Sequence, residues 1–206
     1  ASRTFLRFPL RIHVAPHENG TKLFEDPYVQ VSTLRLDHRI PTTGFLFREK
    51  PHQRRLRQER LVDIPHYARN AVKCGEDLHL PDGTVVANEE LTFDPLPPRS
   101  YAYCSDTAYA PELLDHIRGV DLLYHEATFT EAMAGRASET RHSTAKQAAM
   151  IARDAVVGRL LLGHFSSRYK NSTVLLEEAL PIFPRTQLSN EGETFRIEPH
   201  IPVQRT

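Results

Sequence analysis

Cysteine is scarce in this 206-residue chain: there are two, Cys74 and Cys104, far apart and without CxxC spacing. That argues against a disulfide framework or a thiolate zinc site, and it predicts a chain at home in a reducing cytoplasm with neither thiol functional. Net charge is lacking as well. The 26 basic and 26 acidic residues cancel, so a nucleic-acid partner would have to be held by a local patch and not by the global field. No apolar run approaches the roughly 20 residues that cross a bilayer, and no charged-then-apolar leader opens the chain, so no membrane partner is expected. Repeats and low-complexity tracts are absent too. What remains, with 40% apolar residues, suffices for one sizeable domain, or one domain with an appendage.

Residues 9 to 47 alternate short β-like segments, "PLRIHV", "TKLFED", "YVQVSTLRL" and "GFLF", with turn residues such as Asn19-Gly20, Asp26-Pro27 and Pro41, which predicts a run of sheet. Residues 48 to 98 change texture. "REKPHQRRLRQER" is strongly basic, a turn-rich stretch follows, and "DPLPP" closes it, as expected of an excursion from the sheet. From residue 100 the pattern becomes strand "SYAYCS", helix "APELLDHIRG", strand "DLLYH", a helix around 129 to 140, helix "STAKQAAMIARDAV", strand "RLLLG", helix "STVLLEEALPIF" and a final strand "TFRI". Such alternation indicates βα units and a layered α/β fold.

Four of these strands run out into groups that bind metals or move protons. "VSTLRLDHRIP" ends in Asp37 and His38, "SYAYCSDT" in Asp106, "VDLLYHEATF" in His125 and Glu126, and "RLLLGHFSSRY" in His164, with Ser166, Ser167 and Arg168 close behind. A lone histidine at a strand end is ordinarily a hydrogen-bonded, half-buried side chain. Here, however, neutral nitrogen and anionic oxygen donors of the kind zinc takes recur at strand ends, which is where α/β sheets collect their ligands. His142 differs. It precedes Ser143, a plausible N-cap for the next helix, and by spacing alone it is as well explained by decorating a helix start.

Taken together, "LDHRIPTTGF", "YCSDT", "LLYHEATF", "RHSTAKQAA" and "LLLGHFSSRY", in this order, resemble ribonuclease Z, the family of transfer-RNA 3′-end processing endonucleases in the metallo-β-lactamase superfamily. The resemblance runs from about Pro9 to Ile197. It implies a four-layer αββα sandwich of the metallo-β-lactamase type over residues 1–206, with an inserted tRNA-binding arm at about 48–98. It further implies that His38 ligates one zinc, Asp106 bridges two and His164 ligates the second, with manganese or another divalent ion as a substitute. Glu126 would orient His142, which hands a proton to the leaving 3′ oxygen; His125 would support the strand end, and Arg168 would steady a phosphate. In the arm, Arg48, Lys50, Arg54, Arg55, Arg57 and Arg60 stand against Glu49 and Glu59, a stretch suited to neutralising RNA phosphates, although a solvated helical face accounts for it equally simply. Where bacterial members often carry a Gly-Pro pair in the arm, this chain reads "IPHYARN". Precursor tRNA is the implied partner, a cytoplasmic homodimer the expected form.

One motif of the superfamily is not in the sequence. H-x-H-x-D-H supplies three histidines and an aspartate to the two metals, yet none of the 11 histidines here forms an H-x-H pair. The motif would belong upstream of residue 1, so the expectation is the C-terminal two-thirds of such an enzyme, N-terminally truncated and inactive alone because its zinc sites are under-coordinated. The rival readings are a non-catalytic RNA-binding fragment and another phosphodiesterase or lactamase of the same superfamily.

Overall fold

The computed structural model describes residues 8–199. Three strands open the fold, β1 (Lys22–Glu25), β2 (Val29–Leu36) and β3 (Thr42–Glu49), paired antiparallel in sequence. An excursion follows, built from β4 (Arg55–Leu56), α1 (Arg69–Lys73), β5 (Leu78–His79), β6 (Val85–Val86), α2 (Asn88–Leu91) and β7 (Thr92–Phe93). The chain then returns as β8 (Ser100–Cys104), α3 (Leu114–Ile117), β9 (Leu122–Glu126), α4 (Ala134–Thr140), α5 (Ala145–Asp154), β10 (Arg159–Gly163), α6 (Thr173–Ala179) and β11 (Thr186–Leu188). Seven strands make the main sheet in the order β1-β2-β3-β8-β9-β10-β11. From β8 onward neighbours are parallel, which requires crossovers long enough to hold helices.

Strand alternation sorts the sheet into two faces. Leu34, Leu36, Leu46, Ala102, Cys104, Leu123, Leu160 and Leu162 pack into one buried core with residues of α5 and α6. Helix α5 buries Ala145, Ala148, Ala149, Ile151 and Ala152. Their helical spacing makes one stripe, and the small alanines let the helix lie close on the strands. On the opposite face Phe45, Phe47, Tyr101, Tyr103 and Tyr124 are half-buried, outside the core the helices close. Phe47 and Tyr101 lie 5.7 Å apart, and Tyr103 stacks on Tyr124 at 4.7 Å. Segment 195–199 lies along one corner of this face, enclosing with Phe47 and Tyr101 a cavity of about 880 Å³. Of the four layers expected, the described residues thus build one sheet and one helical layer.

Several boundaries differ from the sequence reading. "PLRIHV" is not a strand: it pairs with nothing in the sheet, and Leu10, Ile12 and Val14 are 62%, 84% and 94% exposed. "TFRI" forms no ladder either, whereas Thr186–Leu188, unmarked in the pattern, closes the sheet as β11. Alternation gives propensity, but a partner edge makes the strand. The helix in "APELLDHIRG" shrinks to a 3₁₀ turn at Pro111–Leu113 and the single turn of α3. Thr144, not Ser143, caps α5, in a capping box with Gln147. The Ser143 hydroxyl instead donates to the Thr107 carbonyl at 2.7 Å. Finally, Arg48 belongs to β3, not to the excursion, and the excursion has a small core of its own in Ile64, Val72, Leu78 and Leu91.

Candidate active site

Because β2 and β8 are each antiparallel to β3, they run in the same direction as each other, and β9 and β10 follow β8. The carboxyl ends of these strands therefore share one edge of the sheet. His38 follows β2, Asp106 follows β8, Glu126 ends β9, and His164 follows β10. His142 arrives on the same edge from the turn that begins α5. Asp106 and His164 both take positive φ, +59° and +56°, as does Arg141 beside His142 at +58°. Left-handed backbone in residues with a Cβ costs on the order of 1–2 kcal/mol, and such outliers gather where a site fixes its side chains.

Donor atoms of Asp106, Glu126, His142 and His164 all lie within 4.8 Å of one another. Glu126 is fully buried and is the hub. Its carboxylate accepts hydrogen bonds from the Thr107 N–H, from the Ser143 N–H at 3.0 Å, from the Thr128 hydroxyl at 2.6 Å and from His142 Nδ1 at 2.9 Å. Burial opposes its charge, but the bonds from His142, Thr128 and Ser143 outweigh it and hold the carboxyl below its ordinary range. The same hydrogen bond raises His142 above an ordinary imidazole, against partial desolvation. With its Nδ1 turned to the Glu126 carboxylate, His142 presents Nε2 to the site.

His164 Nε2 lies 3.2 Å from Asp106 Oδ1. At that separation His164 either donates an Nε2–H to the carboxylate or, with its proton on Nδ1, can share a cation with it, and the mixed nitrogen and oxygen donors suit a divalent metal. His38 stands near but outside the group of four. Its ring centroid is 4.9 Å from that of His142, and its Nδ1 bonds the Arg141 carbonyl at 2.8 Å, which leaves Nε2 as the ring nitrogen that could meet a ligand. Asp37, by contrast, is engaged by Arg141, whose Nη1 donates to both of its carboxylate oxygens at 2.8 and 3.0 Å. His125 is buried on the helix-covered side, its Nδ1 bonded to the Glu126 carbonyl, its Nε2 without a partner among the described residues, and burial holds it neutral. Gly163 has a steric reason: a Cβ there would meet the Tyr124 hydroxyl at 2.1 Å.

No family profile matches the chain. Curated relatives do. The chain is 48% identical over 178 residues to ribonuclease Z of Phocaeicola vulgatus, covering 85% of this chain and 58% of that protein. It is 46% identical over 190 residues to that of Bacteroides thetaiotaomicron, covering 91% and 60%. The chain belongs to the ribonuclease Z family. A third member, from Cytophaga hutchinsonii, is 43% identical over 97% of this chain and 64% of its own; the chain spans less than two-thirds of each of these ribonuclease Z relatives. Among solved structures, the metallo-β-lactamase fold protein YhfI from Bacillus subtilis superposes with a TM-score of 0.56 at 16% identity, over 85% of this chain and 52% of YhfI. Human tRNase Z, short form, does so with 0.51 at 23%, over 86% and 46%. At those identities the likeness concerns the fold, which is that of the metallo-β-lactamases.

The basic residues of this ribonuclease Z family member are not one uniform stripe. Arg48 reaches the His116 carbonyl at 3.4 Å, and Lys50 pairs with Glu25 at 2.8 Å. Arg54 binds Thr92 and Asp94, each at 2.8 Å; Arg60 pairs with Asp63 at 3.1 Å. Arg57 lies over the Phe93 ring at 4.1 Å, and the exposed Arg55 approaches the same ring at 5.7 Å. Arg168, by the site, bonds Ser166 and lies over Phe129 at 5.0 Å. Thr128, Thr107 and Ser143 escape a reading of the sequence as partners of Glu126, since nothing local marks a hydroxyl or an amide for that role.

Proposed function

We propose that this chain carries part of the active site of a metal-dependent endoribonuclease that removes the 3′ trailer of precursor tRNA. The observation that carries this reading is the buried Glu126–His142 pair set beside Asp106 and His164, in a chain whose relatives are named ribonuclease Z. His38, Asp106 and His164 would hold zinc, two ions in a complete site, with manganese or another divalent ion as a substitute. Bound there, metal would supply Lewis acidity toward the phosphate and an activated water.

The chain's own groups do the rest. Glu126 keeps Nδ1 of His142 protonated and its ring oriented; Nε2–H of His142 gives its proton to the leaving 3′ oxygen, a role its raised pKa suits near neutral pH. Arg55 and its basic neighbours in residues 48–98 would contact the tRNA backbone, and Arg168 a phosphate near the cut. We place the enzyme in the cytoplasm as a homodimer, the arm of one subunit reaching a tRNA whose acceptor end enters the other.

The test joins a segment bearing H-x-H-x-D-H to the 206-residue chain. The combination is expected to cut precursor tRNA on its 3′ side with zinc or manganese, and the chain alone to be inactive, its ligand set being too small for two ions. Cleavage that survives thorough chelation, or activity confined to small phosphodiesters, would refute the proposal. RNA binding without cleavage in the combined protein would favour a non-catalytic RNA-binding role.

A further inference from the structure

The side chain of Thr128 is almost fully buried, at 7% exposure, between two parts of the site. Its hydroxyl oxygen lies 2.6 Å from Glu126 Oε2, 2.9 Å from His164 Nδ1 and 3.0 Å from the His164 carbonyl. A hydroxyl has one proton and two lone pairs. The buried, ionised carboxylate is the strongest acceptor and the nearest, so the proton goes to Glu126. The hydroxyl can then only accept from His164, which makes Nδ1 a protonated nitrogen of that ring and, in the neutral imidazole, leaves the lone pair on Nε2, the atom beside Asp106 Oδ1.

We infer that Thr128 is a positioning residue that couples the metal ligand to the proton relay: one hydroxyl sets the His164 tautomer and, together with the Ser143 N–H, occupies Oε2 of Glu126, while His142 bonds most closely to Oε1 beside the Thr107 N–H. The inference rests on the metal-dependent reading above, but it concerns atoms of this chain alone. Partners of metal ligands of this kind alter affinity by about 10- to 100-fold when removed. The Thr128 backbone is tied independently, its carbonyl accepting from the Ser166 N–H at 3.2 Å. Replacing the hydroxyl by a methyl group therefore leaves the loop's main-chain bond in place.

The experiment uses the 206-residue chain without RNA. Nitrogen chemical shifts of His164 at about pH 8, where an ordinary imidazole is neutral, report its tautomer, and calorimetry reports zinc affinity. Wild type should show the Nδ1–H form. Thr128→Val should lose that preference and bind zinc about 10- to 100-fold more weakly, and Thr128→Ser, which keeps the hydroxyl, should recover most of the loss. An Nε2–H tautomer in the wild-type chain overturns the inference whether or not the valine variant folds, and so does unchanged zinc affinity in a folded Thr128→Val. Neither readout involves precursor tRNA, so failure to cleave it would bear on the proposed function and leave this result standing.

Discussion

The strand-end site and the excursion between β3 and β8 are both polar regions on one sheet, and they are built in opposite ways. At the site, residues from 38 to 168 converge, and Glu126 alone binds groups from three separate segments, Thr107, Thr128 and His142–Ser143. Removing one partner leaves a buried charge exposed to a cost of several kcal/mol. The excursion instead closes on itself. Its apolar residues make a small local core, and most of its arginines bind neighbours in the same segment. A clasp joins its base to the sheet, where the Arg99 guanidinium and N–H bind the Glu49 carboxylate. On the proposed function, chemistry that needs fixed geometry would be held by the sheet, and contact with a large, variable partner left to a locally packed appendage.

The largest expected effects separate the groups within the site. In the combined protein, Asp106→Ala should abolish both zinc binding and cleavage, whereas His142→Ala should keep the metal content and lower turnover by about 10²- to 10⁴-fold. Metal analysis beside single-turnover kinetics distinguishes them; zinc lost from the His142 variant would move that residue from proton carrier to ligand.

The independence of the two regions is tested by Leu91→Ala, which truncates a fully buried side chain of the excursion core. It should destabilise that segment by about 2–5 kcal/mol, seen as faster amide exchange there, while zinc affinity of the chain stays unchanged. A parallel fall in zinc affinity would show that the regions are one cooperative unit.

Neutralising Arg54, Arg55 and Arg57 with glutamine should weaken precursor binding and flatten its salt dependence, by roughly 0.7 to 0.9 in log–log slope for each phosphate no longer neutralised. Hydrolysis of a small phosphodiester should not change. Of the three, Arg55 is exposed and has no hydrogen-bonded partner among the described residues, so Arg55→Gln alone should reduce the slope with no shift in melting temperature. An unchanged slope makes the basic stretch a solvated surface.

The smallest effect concerns the clasp. Hydrogen bonding to Arg99 lowers the Glu49 carboxyl from 4.5 to about 2, against some desolvation. Its folded pKa is depressed, so its contribution to stability is complete above 4.5 and fades as pH falls toward about 2. Glu49→Gln should therefore be slightly less stable at neutral pH and lose less stability than wild type over that acid range, as followed by denaturant titration. Parallel acid limbs for the two proteins would show that the clasp contributes nothing.

Much of the site is legible in the sequence alone. Of the four groups that meet there, Asp106, Glu126 and His164 are marked by residue type and strand-end position, whereas His142 stands out only through the family resemblance. The α/β alternation after residue 100 is legible too, because periodicity is local. Pairing is not. "PLRIHV" has the alternation of a strand and remains exposed, Thr186–Leu188 has little and joins the sheet, and Thr144 caps α5 while the neighbouring Ser143 hydroxyl bonds the distant Thr107 carbonyl.

By itself, then, the sequence determined which chemical groups stand at the ends of which segments, since propensity, spacing and side-chain chemistry act within a few residues. Tertiary structure alone decided that those ends share one edge, that Glu126 lies under His142, and that one threonine hydroxyl lies between Glu126 and His164. The reason is physical: a hydrogen bond is set by distances of about 3 Å and by direction, and the residues that meet here are 16 and 36 positions apart in the chain. Their meeting depends on strand order, direction and register, which no local pattern encodes.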